Sequence, residues 1–347
     1  MAKKSSRVSS AGSAAGKGAS VTLIDVAKVA GVSPITVSRA LHRPEVVSEA
    51  ARKKVLEAVR VTGYVPNMLA GGLASNRSRL IAIFVPTIAH SIFADTVQSL
   101  MDHLTAAGYQ TMIGLTGYSA EQEERLLGAV LGRRPDGIVL TGTLHTEESR
   151  LRLQAAGIPV VEAWDLGASP IDMQVGFSHE QVGQAIANHL YGKGYRRFAI
   201  VSVDDSRALK RSGSVATQLQ ALGIEWVPMM VLAAPATVQS GREGLRRLLA
   251  DGYAPQVIIC SSDTVAQGIL AEAASRGLEI PGQLAVMGFG DLSSAAHLYP
   301  ALSTVNVDGG RMGELTANAL LQRLRNDEKR EPVRIDTGFT LIDRQTT

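Results

Sequence analysis

The chain has 347 residues, 45% of them apolar, which is enough for two or three domains and a sizeable buried core. Its single cysteine, Cys260, excludes a disulfide framework and a thiolate metal site, and no run of 18 apolar residues exists to span a membrane. Residues 1–79 carry 13 Lys and Arg against 4 Asp and Glu, leaving 22 against 28 for the rest, so a basic head precedes an acidic body.

Residues 1–20 are rich in Ser, Ala and Gly, with Lys3, Lys4, Arg7 and Lys17 and no acid. They lack the apolar stretch of a secretory signal. An organellar transit peptide would share the composition, but a disordered basic tail that adds phosphate affinity is the simpler reading. The expected location is the cytoplasm.

Residues 21–64 read as three helices. Thr22 can cap the first, with Asp25 at capping-box spacing, and Gly31 can close it in a left-handed conformation. Ser33 can cap the second, with Pro34 at its first position, where a missing N–H costs nothing. Val37, Ala40 and Leu41 point inward from that helix, whereas Ile35, Thr36, Ser38 and Arg39 lie away from them. An outward face of small side chains and one arginine can enter a major groove; the plainer alternative is an ordinary amphipathic helix pair. Ser48 can cap a third helix reaching about Thr62, with Arg52, Lys53 and Lys54 on a basic surface that can meet phosphate.

From Leu80 the pattern changes to apolar runs separated by helices: LIAIFVP, QTMIGL, DGIVLTG and IPVVEA, then FAIVSV, PMMVL, QVIICS and LAVMGF, with a last helix over 310–325 and a final strand GFTLI. Apolar runs without alternation indicate a parallel sheet covered on both faces. Two such units in succession predict an α/β core of two doubly wound lobes with a cleft at their strand ends. The lobe boundary is expected near 165–180.

No phosphate-binding G-x-x-x-x-G-K-[ST], no G-x-S-x-G elbow and no H-E-x-x-H is present. GSAAGKG at 12–18 has the wrong spacing and no preceding strand, and the seven histidines form no close metal-ligand pair. No catalytic residue, metal or cofactor is expected, although an α/β cleft by itself also suits an enzyme.

Three motifs carry a resemblance. T-x-x-D-V-A-x-x-A-G-V-S, T-V-S-R and G-Y-x-P-N-x-x-A-x-x-L-A, between Thr22 and Ser75, are similar to the headpiece and hinge of the lactose/galactose repressor (LacI/GalR) family. The similarity continues through most of the chain. It implies a helix-turn-helix headpiece at 21–64, a hinge at 65–78, and a periplasmic-binding-protein-like effector and dimerisation core at 79–347, whose last helix returns to the first lobe. It places Thr22, Ser33, Pro34, Ile35, Thr36, Ser38, Arg39 and His42 at operator DNA. Pro34 and Ile35 match the positions that chiefly set operator choice and, being apolar, cannot hydrogen-bond a base. In the hinge it assigns Asn67, Ala70 and Leu73 to DNA, Leu73 as the minor-groove wedge. Gly71 and Gly72 depart from the usual hinge and cost about 1 kcal/mol each in helix propensity relative to alanine. A plain flexible linker remains the alternative there.

For the effector, the resemblance points to Phe93, Glu162, Trp164, Arg207, Lys210, Asp263 and Asp291. Phe93 could equally be core, Trp164 could merely cover a sheet edge, and Arg207 with Lys210 could be a solvated helix start. The family's sugar-holding aspartate is replaced by Gly290, with Asp291 one residue later, which disfavours a neutral sugar. AGIPVVE, SPIDMQVGF and AGYQTMIGLTGY are most similar to gluconate-operon repressors within the family. The expectation is a repressor, homodimeric with a tetramer left open, that a sugar acid such as gluconate releases from its operator. The alternatives are an effector that is a neutral sugar, sugar phosphate or purine, or an enzyme bearing a DNA-binding appendage.

Overall fold

The computed structural model describes residues 21–65, 77–88, 91–325 and 331–347; the basic tail and the hinge residues Asn67, Ala70, Gly71, Gly72 and Leu73 lie outside them. The chain divides at residues 76 and 77 into two compact units.

The first unit holds α1 (Leu23–Ala30), α2 (Pro34–His42) and α3 (Glu49–Thr62). Thr22 and Asp25 form a reciprocal capping box that satisfies otherwise unpaired N–H groups of α1. Gly31 closes α1 at φ 64°, a conformation that costs glycine little. Ser33 caps α2 by accepting from the Thr36 N–H, and Pro34 takes its first turn. Val26, Ala27, Ala30, Val37, Ala40, Val55 and Ala58 make the core where the three helices meet.

The second unit contains two parallel sheets. The first has the order β11 (Val333–Asp336), β5 (Met173–Gly176), β4 (Val160–Ala163), β3 (Gly137–Thr141), β1 (Leu80–Val85), β2 (Gln110–Leu115). One face is covered by α4 (Ala94–Ala106) and α11 (Gly309–Arg325), through Leu100, Leu104, Met312 and Leu320. The other is covered by α5 (Ala120–Leu131) and α6 (Glu147–Ala156), through Leu127, Val130 and Leu153. The second sheet has the order β7 (Met229–Leu232), β6 (Phe198–Val203), β8 (Val257–Cys260), β9 (Ala285–Met287). Here α7 (His179–Gly192) and α8 (Ser206–Ala221) lie on one face, α9 (Val238–Ala250) and α10 (Asp263–Ser275) on the other. An antiparallel pair, β10 (Thr304–Asn306) with β12 (Thr340–Ile342), joins the β9 edge through isolated bridges.

The chain passes between the lobes three times: after β5, after β10 and after β11. Phe177, at the first passage, belongs to one apolar cluster that includes Ile83 and Val161 of the first sheet and Ile200 and Met287 of the second. Three short strands, β5, β10 and β11, are absent from the expectations drawn above. Each has only three or four residues, and β11 is an exposed edge whose VRID carries no apolar run.

Candidate functional site

The headpiece presents one outward surface. On α2, Pro34, Ile35, Arg39 and His42 are exposed, Ile35 at 65%, while Thr36 and Ser38 are half-buried. Thr36 is held by Ser33, whose hydroxyl lies 2.9 Å from that of Thr36, and Thr22 is committed to its capping box. Among the described residues the Arg39 guanidinium is in no ion pair. A helix carrying a free guanidinium beside small side chains and an apolar isoleucine can offer forked donors to a guanine and a methyl contact to a thymine.

The second site is a cleft of about 450 Å³, open to solvent, in the second unit. Its walls come from the carboxyl ends of parallel strands, where open α/β sheets place their ligands. Ile92 and Phe93 follow β1, Tyr118 follows β2, and Trp164 follows β4. Asp205 and Arg207 follow β6, Ser261 and Ser262 follow β8, and Phe289 follows β9.

Trp164 has φ 70°, a left-handed conformation costly for a bulky side chain. That turn changes which way the tryptophan faces. On β4, Val160 packs toward α5 and α6, and Val161 and Ala163 pack toward the opposite cluster. Strand alternation would send residue 164 with Val160. Instead its ring meets Phe93 edge-on, centroids 5.0 Å apart, and Phe177 at 6.0 Å.

Among the described residues, the charged groups lining the cleft are mainly cationic. Arg207 is 7% exposed; its guanidinium pairs with Asp205 at 3.0 Å and leaves a buried Nη1 with no partner. Four residues on, and on the same helix face, Arg211 stacks over Phe289 at 3.5 Å. Its Nη2 donates to the Ser261 carbonyl at 2.6 Å and its Nη1 donates to His179 Nδ1 at 2.8 Å. Burial draws the Arg211 pKa down to about 9, which leaves it charged at neutral pH. Burial holds the His179 imidazole neutral, as do the neighbouring guanidiniums of Arg211 and Arg207. Burial also pushes the Tyr118 phenol up to about 12, so it faces the cleft as a neutral hydroxyl. The Ser261 hydroxyl is buried without a partner. Among the described residues two guanidiniums thus face one carboxylate.

Of the sequence-derived effector residues, Phe93, Trp164 and Arg207 line the cleft; Glu162, Lys210, Asp263 and Asp291 do not. Glu162 keeps the alternation that Trp164 abandons. It lies on the opposite side of the sheet, fully buried, with one oxygen accepting from the Ile171 N–H and the other 3.5 Å from His145. Lys210 turns to Asp165 at 3.4 Å and Glu180 at 3.8 Å, so its charge is largely answered within the protein. Asp263 is the first residue of α10 and fully buried; its carboxylate accepts from Thr304 Oγ1 and the Leu292 N–H. Burial pushes that carboxyl up to about 6. Asp291 pairs with Arg344 at 2.8 Å and accepts from Asn306. Gly290, at φ 122°, brings the second lobe against the first: a Cβ there would lie 2.9 Å from Ile92 Cδ1. Sequence reasoning missed His179, Arg211, Tyr118 and Ser261. The spacing of Arg207 and Arg211 was the available signal for one of them.

Among the described residues no group of His, Cys, Asp and Glu is arranged to hold a metal ion, and no helix is long and apolar enough to cross a membrane.

Comparison with known proteins gives the two parts a common context. Residues 22–67 match the bacterial regulatory proteins of the lacI family, and residues 187–347 match the periplasmic binding protein-like domain. The HTH-type transcriptional regulator GntR of Pseudomonas aeruginosa is 38% identical over 94% of this chain and 95% of its own length. GntR of Escherichia coli K12 is 33% identical, over 92% and 96%. A LacI-family transcriptional regulator from Silicibacter pomeroyi, of known crystal structure, superposes with a TM-score of 0.87 at 32% identity, covering 94% of this chain and 99% of that one. These relatives are transcriptional regulators and not enzymes. With relatedness running along nearly its whole length, the chain belongs to the LacI family of DNA-binding transcriptional repressors.

Proposed function

We propose that this repressor is released from its operator by a small sugar acid of the gluconate type, bound in the cleft between the lobes. The observation that carries the reading is the buried, unpartnered Nη1 of Arg207 beside the Arg211 guanidinium, with Asp205 the one carboxylate among the described residues that line the cleft. A buried donor left unpaired costs roughly 1–3 kcal/mol, and more when it is charged, so a ligand that brings an anion there recovers that cost. Ser261, Tyr118 and Asp205 supply hydroxyls and an acceptor suited to a polyol, and Trp164 supplies a flat apolar wall. The absence of a side chain at Gly290 removes the carboxylate that would hold a neutral sugar and repel an acid. The resemblance to gluconate-operon repressors points the same way.

At the DNA end, Ser33, Pro34, Ile35, Thr36, Ser38, Arg39 and His42 form the recognition surface, with Thr22 at the helix start and Asn67, Ala70 and Leu73 in the hinge. Two headpieces reading a two-fold operator require a homodimer. Such a regulator works in the cytoplasm.

The test is operator release by a panel containing gluconate, other aldonates, the parent neutral sugars, sugar phosphates and purines, alongside calorimetry on the free protein. Gluconate or a related aldonate is expected to bind and release. Tighter binding of a neutral sugar than of its own aldonic acid would overturn the reading.

A further inference from the structure

The geometry points to His179 as a positioning residue for effector recognition: it holds the Arg211 guanidinium and the turned Trp164 in one fixed relation, across the two lobes. The inference rests on the reading of the cleft as the effector site.

His179 opens α7 immediately after the first passage between lobes, behind the Ser178 cap, and is 2% exposed. Its two ring nitrogens have opposite duties. A guanidinium has only donors, so Nδ1, 2.8 Å from Arg211 Nη1, must accept. The proton therefore sits on Nε2, which donates to the Trp164 carbonyl at 3.0 Å. Trp164 belongs to the first lobe and Arg211 to the second, so one imidazole ties both. The ring itself packs against Phe177, centroids 4.7 Å apart, and Phe289 at 6.3 Å.

Each partner depends on this contact. Among the described residues Arg211 has no carboxylate within 4.0 Å, so its direction is set by His179, the Ser261 carbonyl, a longer 3.5 Å bond to the Arg207 carbonyl and the Phe289 ring. Trp164 holds a backbone conformation that a tryptophan rarely adopts, and the His179 bond fixes the carbonyl on the far side of that turn. Removing the imidazole takes away the shortest partner of Nη1, leaving that arm only the 3.5 Å bond to the Arg207 carbonyl, and lets the turn relax. The apolar wall and the cation then lose the registry that a ligand with an anionic end requires. The charged groups acting on the ring are Arg211, Arg207 and Lys210, all cations, which keeps it an acceptor at Nδ1.

The test uses full-length protein carrying Trp226→Phe, so that Trp164 is the sole tryptophan, with His179→Phe and His179→Asn added separately. Phe keeps a ring and loses both bonds; Asn retains an acceptor near Nδ1 only. Gluconate is titrated while Trp164 emission is followed, and operator affinity without gluconate is measured for each variant. His179→Phe is expected to weaken gluconate binding at least tenfold and to shift Trp164 emission. Operator binding without gluconate reports that each variant is folded, and His179→Asn should recover part of the loss. Equal gluconate affinity in His179→Phe and its parent would overturn the proposal. Independently of any ligand, histidine ¹⁵N spectra should show the His179 proton on Nε2 with Nδ1 accepting; the opposite tautomer, or an imidazolium at pH 7, would also overturn it. A parent that binds no gluconate refutes the effector reading alone, and the ¹⁵N result still decides for or against His179.

Discussion

Arg207→Ala is the substitution most revealing of what the cleft recognises. The wild-type guanidinium has one arm on Asp205 and a second, Nη1, buried and unpaired. A ligand carboxylate reaching Nη1 makes a charge-assisted hydrogen bond in a site largely shielded from water, worth about 1.5–3 kcal/mol. At about 1.4 kcal/mol per decade, its loss weakens aldonate binding by roughly 12- to 150-fold. A second effect acts in the same direction. Asp205 keeps its bond to the Ala208 N–H as the cap of α8, so the helix start survives, but its charge now faces the ligand without its partner. The loss should therefore fall in the upper part of the range. Calorimetry with gluconate and with glucose, on wild type, Arg207→Ala and Arg207→Lys, reads the effect. Lysine restores the charge without the fork and should recover only part of the affinity. Gluconate affinity within threefold of wild type in Arg207→Ala, or an equal loss for gluconate and glucose, would refute the argument that this arginine reads a ligand's charge.

At the DNA end, Arg39→Ala should cost about 1–3 kcal/mol of specific operator binding with thermal stability unchanged, measured by anisotropy on operator and on unrelated DNA. Unchanged operator affinity would take α2 out of the groove. Gly241→Ala tests the closest helix crossing in the second lobe, where a Cβ would lie 2.0 Å from the Val265 carbonyl. Calorimetric or denaturant unfolding should show a loss of about 1–3 kcal/mol from overpacking, or more, since the obstacle is backbone. The pH dependence of stability should carry the mark of His145. Burial opposes its charge, but the carboxylates of Glu123 and Glu162 outweigh that and raise its pKa from 6.5 to about 9. A raised pKa in the folded state means the contribution is complete below about pH 6.5 and fades as pH climbs through 9. The raised pKa corresponds to up to about 3 kcal/mol, lost across that window in wild type and absent in His145→Gln. Parallel stability curves for the two proteins between pH 6 and pH 9.5 would contradict it.

Much of the molecule was legible because its determinants are local. Thr22, Asp25, Gly31, Ser33 and Pro34 act within one turn of where they stand, so the headpiece helices could be written down from the sequence. The buried strands announced themselves by unbroken apolar runs. What escaped depends on partners distant in sequence. The strand VRID is stable as an edge because β5 lies beside it, about 160 residues earlier, and has no signature of its own. The same holds in the cleft. Glu162 and Trp164 are two residues apart and look like neighbours in one site, yet a single left-handed backbone angle sends them to opposite sides of a sheet. Lys210 and Asp291 looked available because their partners, Asp165 and Arg344, are 45 and 53 residues away. His179 reads as an ordinary first residue of a helix until Arg211 and Trp164 are brought to it.

The three passages between the lobes carry a consequence for how the protein can be cut and assembled. Residues 309–342 supply α11 and the edge strand β11 to the first sheet and β12 to the second lobe. No break before the end of β11 therefore leaves either lobe whole. A chain interrupted anywhere in 309–336 injures both, and the two must mature together, late in synthesis. The headpiece has its own core and needs none of that segment. A nonsense mutation in this region leaves a head able to fold joined to a body unable to sense, so loss of response to effector need not bring loss of the DNA-binding fold.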